Sequence, residues 1–346
     1  MKAMTITKTL IAVLAAAAAS QAVALAAGGG EKHPEHQHWH FSGPFGTYDP
    51  NALQRGYQVY ETVCSNCHSL NYVAFRNLGQ KGGPFYLESC PEGFPDNVDC
   101  SNPNDNPIVK ALADKYKYQV TDGPDDTGEM FQRAALPSDS IPAPYANEQL
   151  ARMANNNALP PDLSLITKAR GGGPDYVYSL LTGYEEAPST VQLAPGQYYN
   201  PYFPGDMAQA MKPEYMHDGH PVEGVTVPPG GVLSMAPPLA DGIVEYGDGS
   251  PQTVEQYAKD VTEFLMWAAE PKMEARKALG VMSIIYLVIL AAVVYLAGWW
   301  VNRSRLGFAL RRAPHHTTPP AFRWPRTRRR RPRPRARSGR RRRAAL

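Results

Sequence analysis

Residues Cys64-Ser65-Asn66-Cys67-His68 place two thiols three positions apart and an imidazole directly after the second. That order suits covalent attachment of a haem. The two sulfurs reach the two vinyl groups of one porphyrin, and the following histidine stands where it can bind the iron from one face. Two blander readings of the same residues are a zinc half-site and a redox dithiol. Zinc wants a second ligand pair at similar spacing, and the remaining cysteines, Cys90 and Cys100, have no histidine beside them. A thioredoxin-like dithiol belongs beside a βαβ pattern, which this sequence lacks. The motif predicts one covalent haem c, held by Cys64 and Cys67 and ligated by His68.

An iron that carries electrons needs a sixth ligand, and a methionine thioether raises its potential relative to a second histidine. The candidates are Met130, Met153, Met207, Met211, Met216, Met235, Met266 and Met273. Most methionines are adaptable packing, and Met266 and Met273, beside the last helix and the apolar segment after it, read as structural. Met235 stands apart because Met235-Ala236-Pro237-Pro238 stiffens a loop methionine that has no helix under it. Local chemistry leaves it one candidate among several. His33, His36, His38, His40, His217 and His220 compete, the first four in a polar stretch that reads more simply as solvated. Cys90 and Cys100 predict a disulfide in an oxidising compartment, with two free thiols as the alternative.

These residues need elements to hold them. Leu53, Tyr57, Tyr60 and Val63 recur at helical spacing after Asp49-Pro50, which predicts a helix over 52–63 running into the haem motif. Ser250-Pro251 reads as the start of another helix, through Val254, Tyr257, Val261, Leu265 and Ala268, that stops before Pro271. Between them, 80–145 and 184–250 are rich in proline and glycine and read as long loops, with short helices at 147–155 and 175–181 and weak strand signals. The expected fold class is mainly α with long loops, with the haem supplying much of its hydrophobic centre.

Two apolar segments set the topology. Lys2 and Lys8, the apolar run 9–19 and small residues around Ala24 predict a signal peptide over 1–26. The uncharged segment 281–301, about 32 Å long as a helix, is enough to cross a bilayer. Arg303 and Arg305 follow it, so the positive-inside rule puts the C-terminus in the cytoplasm. The predicted organisation is a periplasmic domain at 27–278, a single-pass anchor at 279–302 in the bacterial inner membrane, and a cytoplasmic Arg/Pro-rich tail at 303–346. That tail holds 17 arginines and no acid, which hides an acidic balance elsewhere in a chain of net charge +3. Without the tail and the two leader lysines, 16 of the 35 cations face all 32 acids. An acidic exported face attracts a basic soluble partner, although charge excess also serves plain solvation. From Pro319 onward the tail cannot build a core and reads as a disordered basic segment that suits anionic lipid; no function is assigned to it, and no nucleic-acid role is expected of a membrane-tethered run.

Several stretches together carry a resemblance. They are Trp39-His40-Phe41-Ser42-Gly43-Pro44-Phe45-Gly46, Leu53-Gln54-Arg55-Gly56-Tyr57 running into the haem motif, Ala158-Leu159-Pro160-Pro161-Asp162-Leu163-Ser164, Asp175-Tyr176-Val177-Tyr178, Tyr199-Asn200-Pro201-Tyr202-Phe203-Pro204-Gly205 and Met235-Ala236-Pro237-Pro238-Leu239. Over roughly residues 39–312 the chain resembles the cytochrome c1 family, the haem-bearing subunits of cytochrome bc1 complexes. The resemblance implies a class I cytochrome c-like domain, with Met235 as the sixth iron ligand. It implies that Arg170 pairs with a haem propionate and that Pro161 and Tyr176 line the pocket. A guanidinium fork suits a carboxylate, which gives the arginine a physical reason. The segment from Asp206 to Ser234 departs from the family as a long insertion and adds Met207, Met211 and Met216.

The implied role is electron transfer within a quinol–cytochrome-c reductase, with no bond-making by this chain. The implied partners are cytochrome b, a Rieske iron–sulfur protein that gives the electron and a soluble c-type cytochrome that takes it, in a dimeric complex. A stand-alone anchored electron carrier is the first alternative. A haem peroxidase is the second, and it requires an open sixth position.

Overall fold

A computed structural model describes residues 30–95, 98–116 and 120–310. The expected leader, and the tail from 311 onward, lie outside the described residues. Among the described residues eight α-helices follow in chain order: α1 (Pro50–Thr62), α2 (Phe75–Leu78), α3 (Pro107–Asp114), α4 (Glu148–Ala154), α5 (Ile166–Ala169), α6 (Gly173–Thr182), α7 (Val254–Ala269) and α8 (Met273–Leu310). The strands are short and pair only in antiparallel twos. β1 (Leu70–Ala74) lies with β4 (Ser140–Ile141), β2 (Val120–Asp122) with β3 (Phe131–Arg133), β5 (Tyr198–Asn200) with β8 (Gly231–Leu233), and β6 (Met216–His217) with β7 (His220–Pro221). The described chain divides into two compact units, one ending at Ser283 and the other starting at Ile284.

The first unit is organised by α1 against α7. Asp49 caps α1 by accepting the Asn51 amide at 3.0 Å, and Pro50 occupies the first turn, where its missing N–H costs nothing. The buried face of α1 is Ala52, Leu53, Gly56, Tyr57, Val59 and Tyr60. Gly56 is where the two helices cross: a Cβ there would stand 2.1 Å from the Asp260 carbonyl oxygen and 2.7 Å from the Phe264 Cβ. Beside it Arg55 grips the buried Asp260 with two bonds, Nε to Oδ2 at 2.8 Å and Nη2 to Oδ1 at 2.9 Å, and reaches Asp248 at 2.8 Å.

Aromatic rings fill the crossing. Phe264 meets Tyr57 edge-on at 5.6 Å and stacks on Trp267 at 5.7 Å. Leu53, Leu70, Phe75, Leu78, Val109, Ile141, Tyr176 and Leu239 continue the same buried cluster. The chain thus builds a large aromatic core of its own.

Two further sequence expectations change. The last helix of the first unit starts at Val254 rather than Pro251, capped by Thr253, whose hydroxyl accepts the Gln256 amide. The Val254 amide goes to Asp241, and Asp248 accepts the Ser250 amide, so the Ser-Pro pair belongs to a turn before the helix. The loop expected over 80–145 contains α3, eight residues long, because the fully buried Asn106 accepts the Ile108 and Val109 amides and Pro107 opens the helix. In the same stretch Cys90 and Cys100 are disulfide-bonded, with Cα atoms 5.0 Å apart. Within the long insertion, Met207 and Met211 are buried, Met207 packing with Val191 and Tyr199 in a second small core.

The start of α8 is tied to the N-terminal stretch. Lys277 donates to the carbonyls of Phe41 and Gly46, and Glu274 accepts the Tyr48 amide at 2.8 Å. Glu270, between α7 and α8, pairs with Lys168 at 2.7 Å and with Arg276. The second unit, described from Ile284 to Leu310, belongs to one long apolar helix. Residues Met273–Arg303 are long and apolar enough to cross a membrane, and their most apolar 18-residue stretch has a mean hydropathy of 2.6.

Candidate functional site

The cysteine–histidine motif sits where α1 unwinds. Cys64–Asn66 form a single 3-10 turn, and the amides of both Cys67 and His68 donate to the Cys64 carbonyl, at 3.1 and 2.9 Å. Ser65 and Asn66 turn their side chains back onto the last carbonyls of α1, at 2.7 Å on Glu61 and 3.0 Å on Thr62. Those bonds satisfy helix-end acceptors that would otherwise need water. The two thiols are unpaired, half-buried and held by one turn of backbone. Burial, then the neighbouring Cys67, pushes the Cys64 thiol up to about 12.

His68 is oriented from two sides. Tyr60, one turn before the motif on α1, donates its hydroxyl to the His68 carbonyl at 3.2 Å. The ring Nδ1 lies 2.8 Å from the Pro161 carbonyl oxygen. A carbonyl only accepts, so the proton sits on Nδ1 and the lone pair on Nε2. Burial lowers the pKa of this imidazole, against the Pro161 carbonyl and Asp162, which raise it. The neutral ring is the form that ligates iron.

The segment carrying Pro161 is pinned to the residues after His68. The Leu163 amide donates to the Ser69 carbonyl at 3.0 Å, and the Tyr72 amide to the Ser164 hydroxyl at 3.1 Å. Asp162 accepts from the Ser69 hydroxyl and the Asn71 amide, both at 2.8 Å, and from the Ser164 amide at 2.9 Å. Burial would raise that carboxyl, yet these donors outweigh it and hold it below its ordinary value. Sequence reasoning assigned Asp162 no role. An aspartate two residues before a serine, after two prolines, is the signature of an Asx turn and offered the signal.

A second group of residues gathers around Tyr176 on α6. Burial raises its phenol, and the guanidinium of Arg170 works against that rise. Arg170 is the exposed residue that ends α5, and no carboxylate pairs with it among the described residues. Tyr176 in turn acts on Tyr184, whose hydroxyl donates to the Met235 carbonyl at 3.0 Å. Met235 is half-buried in the loop after β8. No feature of the sequence pointed to the Tyr184–Met235 bond.

The fold thus brings Cys64, Cys67, His68 and Pro161 into direct register, and Arg170, Tyr176 and Met235 into a second group. The two groups share one apolar cluster, in which Leu163, Tyr176 and Leu239 are buried and Cys64 packs at the edge. The competing ligands are otherwise engaged or displayed. His36 meets Asp175 at 2.9 Å and His40 meets the buried Glu263 at 3.0 Å. Met273 is buried, Met153 is 82% exposed, and His217 and His220 belong to the β6–β7 hairpin. These residues fit a haem on physical grounds. They offer two free thiols on one turn, a neutral imidazole with Nε2 available, a cation without a carboxylate partner and an apolar wall.

Comparison with known proteins gives a consistent answer. A family model described as the Cytochrome C1 family matches residues 39–304. The chain is 43% identical over 268 residues to "Cytochrome c1, heme protein, mitochondrial" of Saccharomyces cerevisiae, covering 77% of this chain and 70% of that protein. It is 38% identical over 279 residues to "Cytochrome c1" of Blastochloris viridis, covering 75% and 83%. It is also 42% identical over 281 residues to "Cytochrome b/c1" of Bradyrhizobium diazoefficiens, where the match takes 76% of this chain and spans about a third, 34%, of that longer protein.

Proposed function

The chain belongs to the cytochrome c1 family, and from that premise we propose that it is the haem-bearing, electron-transferring subunit of a membrane quinol–cytochrome-c reductase. The observation that carries the reading is the Cys64–His68 turn with the His68 Nδ1 proton committed to Pro161, which leaves Nε2 as the ligating nitrogen. In this reading Cys64 and Cys67 would hold one covalent haem c, His68 and Met235 would ligate its iron, and Arg170 would pair with a propionate. When bound, the haem supplies a reversible one-electron change at its iron, which suits passage of an electron from an iron–sulfur donor to a soluble c-type cytochrome.

The chain's own residues set the conditions for that change. His68 stays neutral because burial disfavours its charged form. Met235, as a thioether, would favour a high potential, and the buried Leu163, Tyr176 and Leu239 would help keep water from the haem. Tyr184 holds the backbone of the methionine loop in place. No proton is moved and no substrate bond is made by these residues.

In this reading 27–278 is a class I cytochrome c-like domain outside the cytoplasmic membrane, 279–302 is the anchor and 303–346 faces the cytoplasm. Cytochrome b, a Rieske protein and a soluble cytochrome are its partners in a dimeric complex, and the acidic balance of the exported part suits a basic acceptor. The test is expression of the full chain in a host that matures c-type cytochromes. A chain heavier by one haem, a reduced spectrum unmoved by carbon monoxide and co-purification with b-type haem and an iron–sulfur centre support the reading. A colourless chain of bare polypeptide mass rejects it.

A further inference from the structure

Pro161 is followed by an aspartate that accepts three hydrogen bonds. One oxygen of Asp162 accepts from the Ser69 hydroxyl and the Asn71 amide, and the other accepts the Ser164 amide. Ser69 directly follows His68, and Asp162 directly follows Pro161. The carboxylate therefore binds the two chain segments at the residues next to the His68–Pro161 bond. Charge-assisted bonds of this kind hold geometry more firmly than neutral ones. Asp162 lies in no ion pair among the described residues.

We propose that Asp162 is a positioning residue for the His68 imidazole, fixing the Pro161 carbonyl where it accepts the Nδ1 proton and so setting the basicity of Nε2. The inference rests on the haem reading above. A carbonyl held against Nδ1–H makes the imidazole a stronger donor to iron and favours the oxidised state. Loosening Asp162 weakens that bond, so the reduction potential rises. General loosening that admits water acts in the opposite direction, because a wetter site lowers the potential.

Two variants of the full, haem-loaded chain test this: Asp162→Asn and Ser69→Ala. Asparagine keeps the shape and loses an acceptor oxygen. Ser69→Ala removes one donor and leaves the carboxylate charge in place. The Leu163–Ser69 backbone bond persists in both, which supports folding. In the reduced protein with labelled histidine, solvent exchange of the His68 Nδ1 proton rises about tenfold in Asp162→Asn, the scale of one charge-assisted bond. It rises by a smaller factor in Ser69→Ala, and the midpoint potential rises in both. An exchange rate unchanged in Ser69→Ala, or a potential in that variant that falls or stays put, overturns the proposal. A shift confined to Asp162→Asn overturns it too, since lost charge explains that alone. If Asp162→Asn does not accumulate, Ser69→Ala decides. A wild-type chain without covalent haem sinks the haem reading instead, and mass spectrometry reads that first.

Discussion

The Nδ1 of His68 lies 2.8 Å from the carbonyl oxygen of Pro161, across 93 residues of sequence. That one bond chooses the tautomer, orients the ring and links the motif loop to the segment that runs on to α5.

Met235→Leu keeps the volume of the side chain and removes the sulfur. The low-spin absorption spectrum is lost, carbon monoxide binds the reduced protein, and the potential falls by more than about 59 mV, a tenfold change in the one-electron equilibrium. A redox titration with spectra checks this. Unchanged spectra and potential place the sixth ligand elsewhere.

Arg55→Leu leaves the buried Asp260 carboxylate without its guanidinium. Breaking a buried pair from one side costs about 3–5 kcal/mol, because the remaining charge is stranded in the core. Urea unfolding of the haem-loaded protein measures it, and a loss under about 1 kcal/mol would show that the site behaves as a surface pair.

Gly56→Ala drives a methyl group into the Asp260 carbonyl at the helix crossing. The contact is with backbone, so α1 and α7 must separate, at a cost of about 1–3 kcal/mol. Helix propensity alone would make the change stabilising by up to about 1 kcal/mol. The sign of the measured change in unfolding free energy therefore decides between packing and propensity.

Glu270 is held below its ordinary value of 4.5 by its bond to Arg276, with Lys168 adding to the effect against burial. A depressed carboxyl contributes stability that is complete above the ordinary value and is lost as pH falls through the lower folded one. The stability gap between wild type and Glu270→Gln is thus constant at neutral pH and closes on strong acidification. A gap that persists below about pH 2 would assign the effect to packing rather than charge.

Much of this is legible in the sequence itself. The resemblance carried by the motifs at 39–46, 158–164 and 235–239 is matched by the family model over 39–304. The helix after Asp49-Pro50 was legible because its cap and its apolar spacing are local. The start of α7 was misread because Ser250-Pro251 mimics a helix start, while the distant Asp241 and the local Thr253 set the real one. The helix α3 was missed because Asn106 caps it only once buried beside Phe85, whose carbonyl takes the Asn106 side-chain amide at 2.8 Å.

By itself the sequence determined what depends on neighbours along the chain: two thiols and an imidazole on one turn, a membrane-length apolar run and a charge asymmetry. Only the tertiary structure decided which carbonyl accepts the His68 proton, that Asp162 joins the two segments, and that Tyr184 holds the methionine loop. Those bonds span 51 to 93 residues. Their partners are brought together by burial of the α1–α7 face and the rings around it, a cooperative effect that no local pattern encodes.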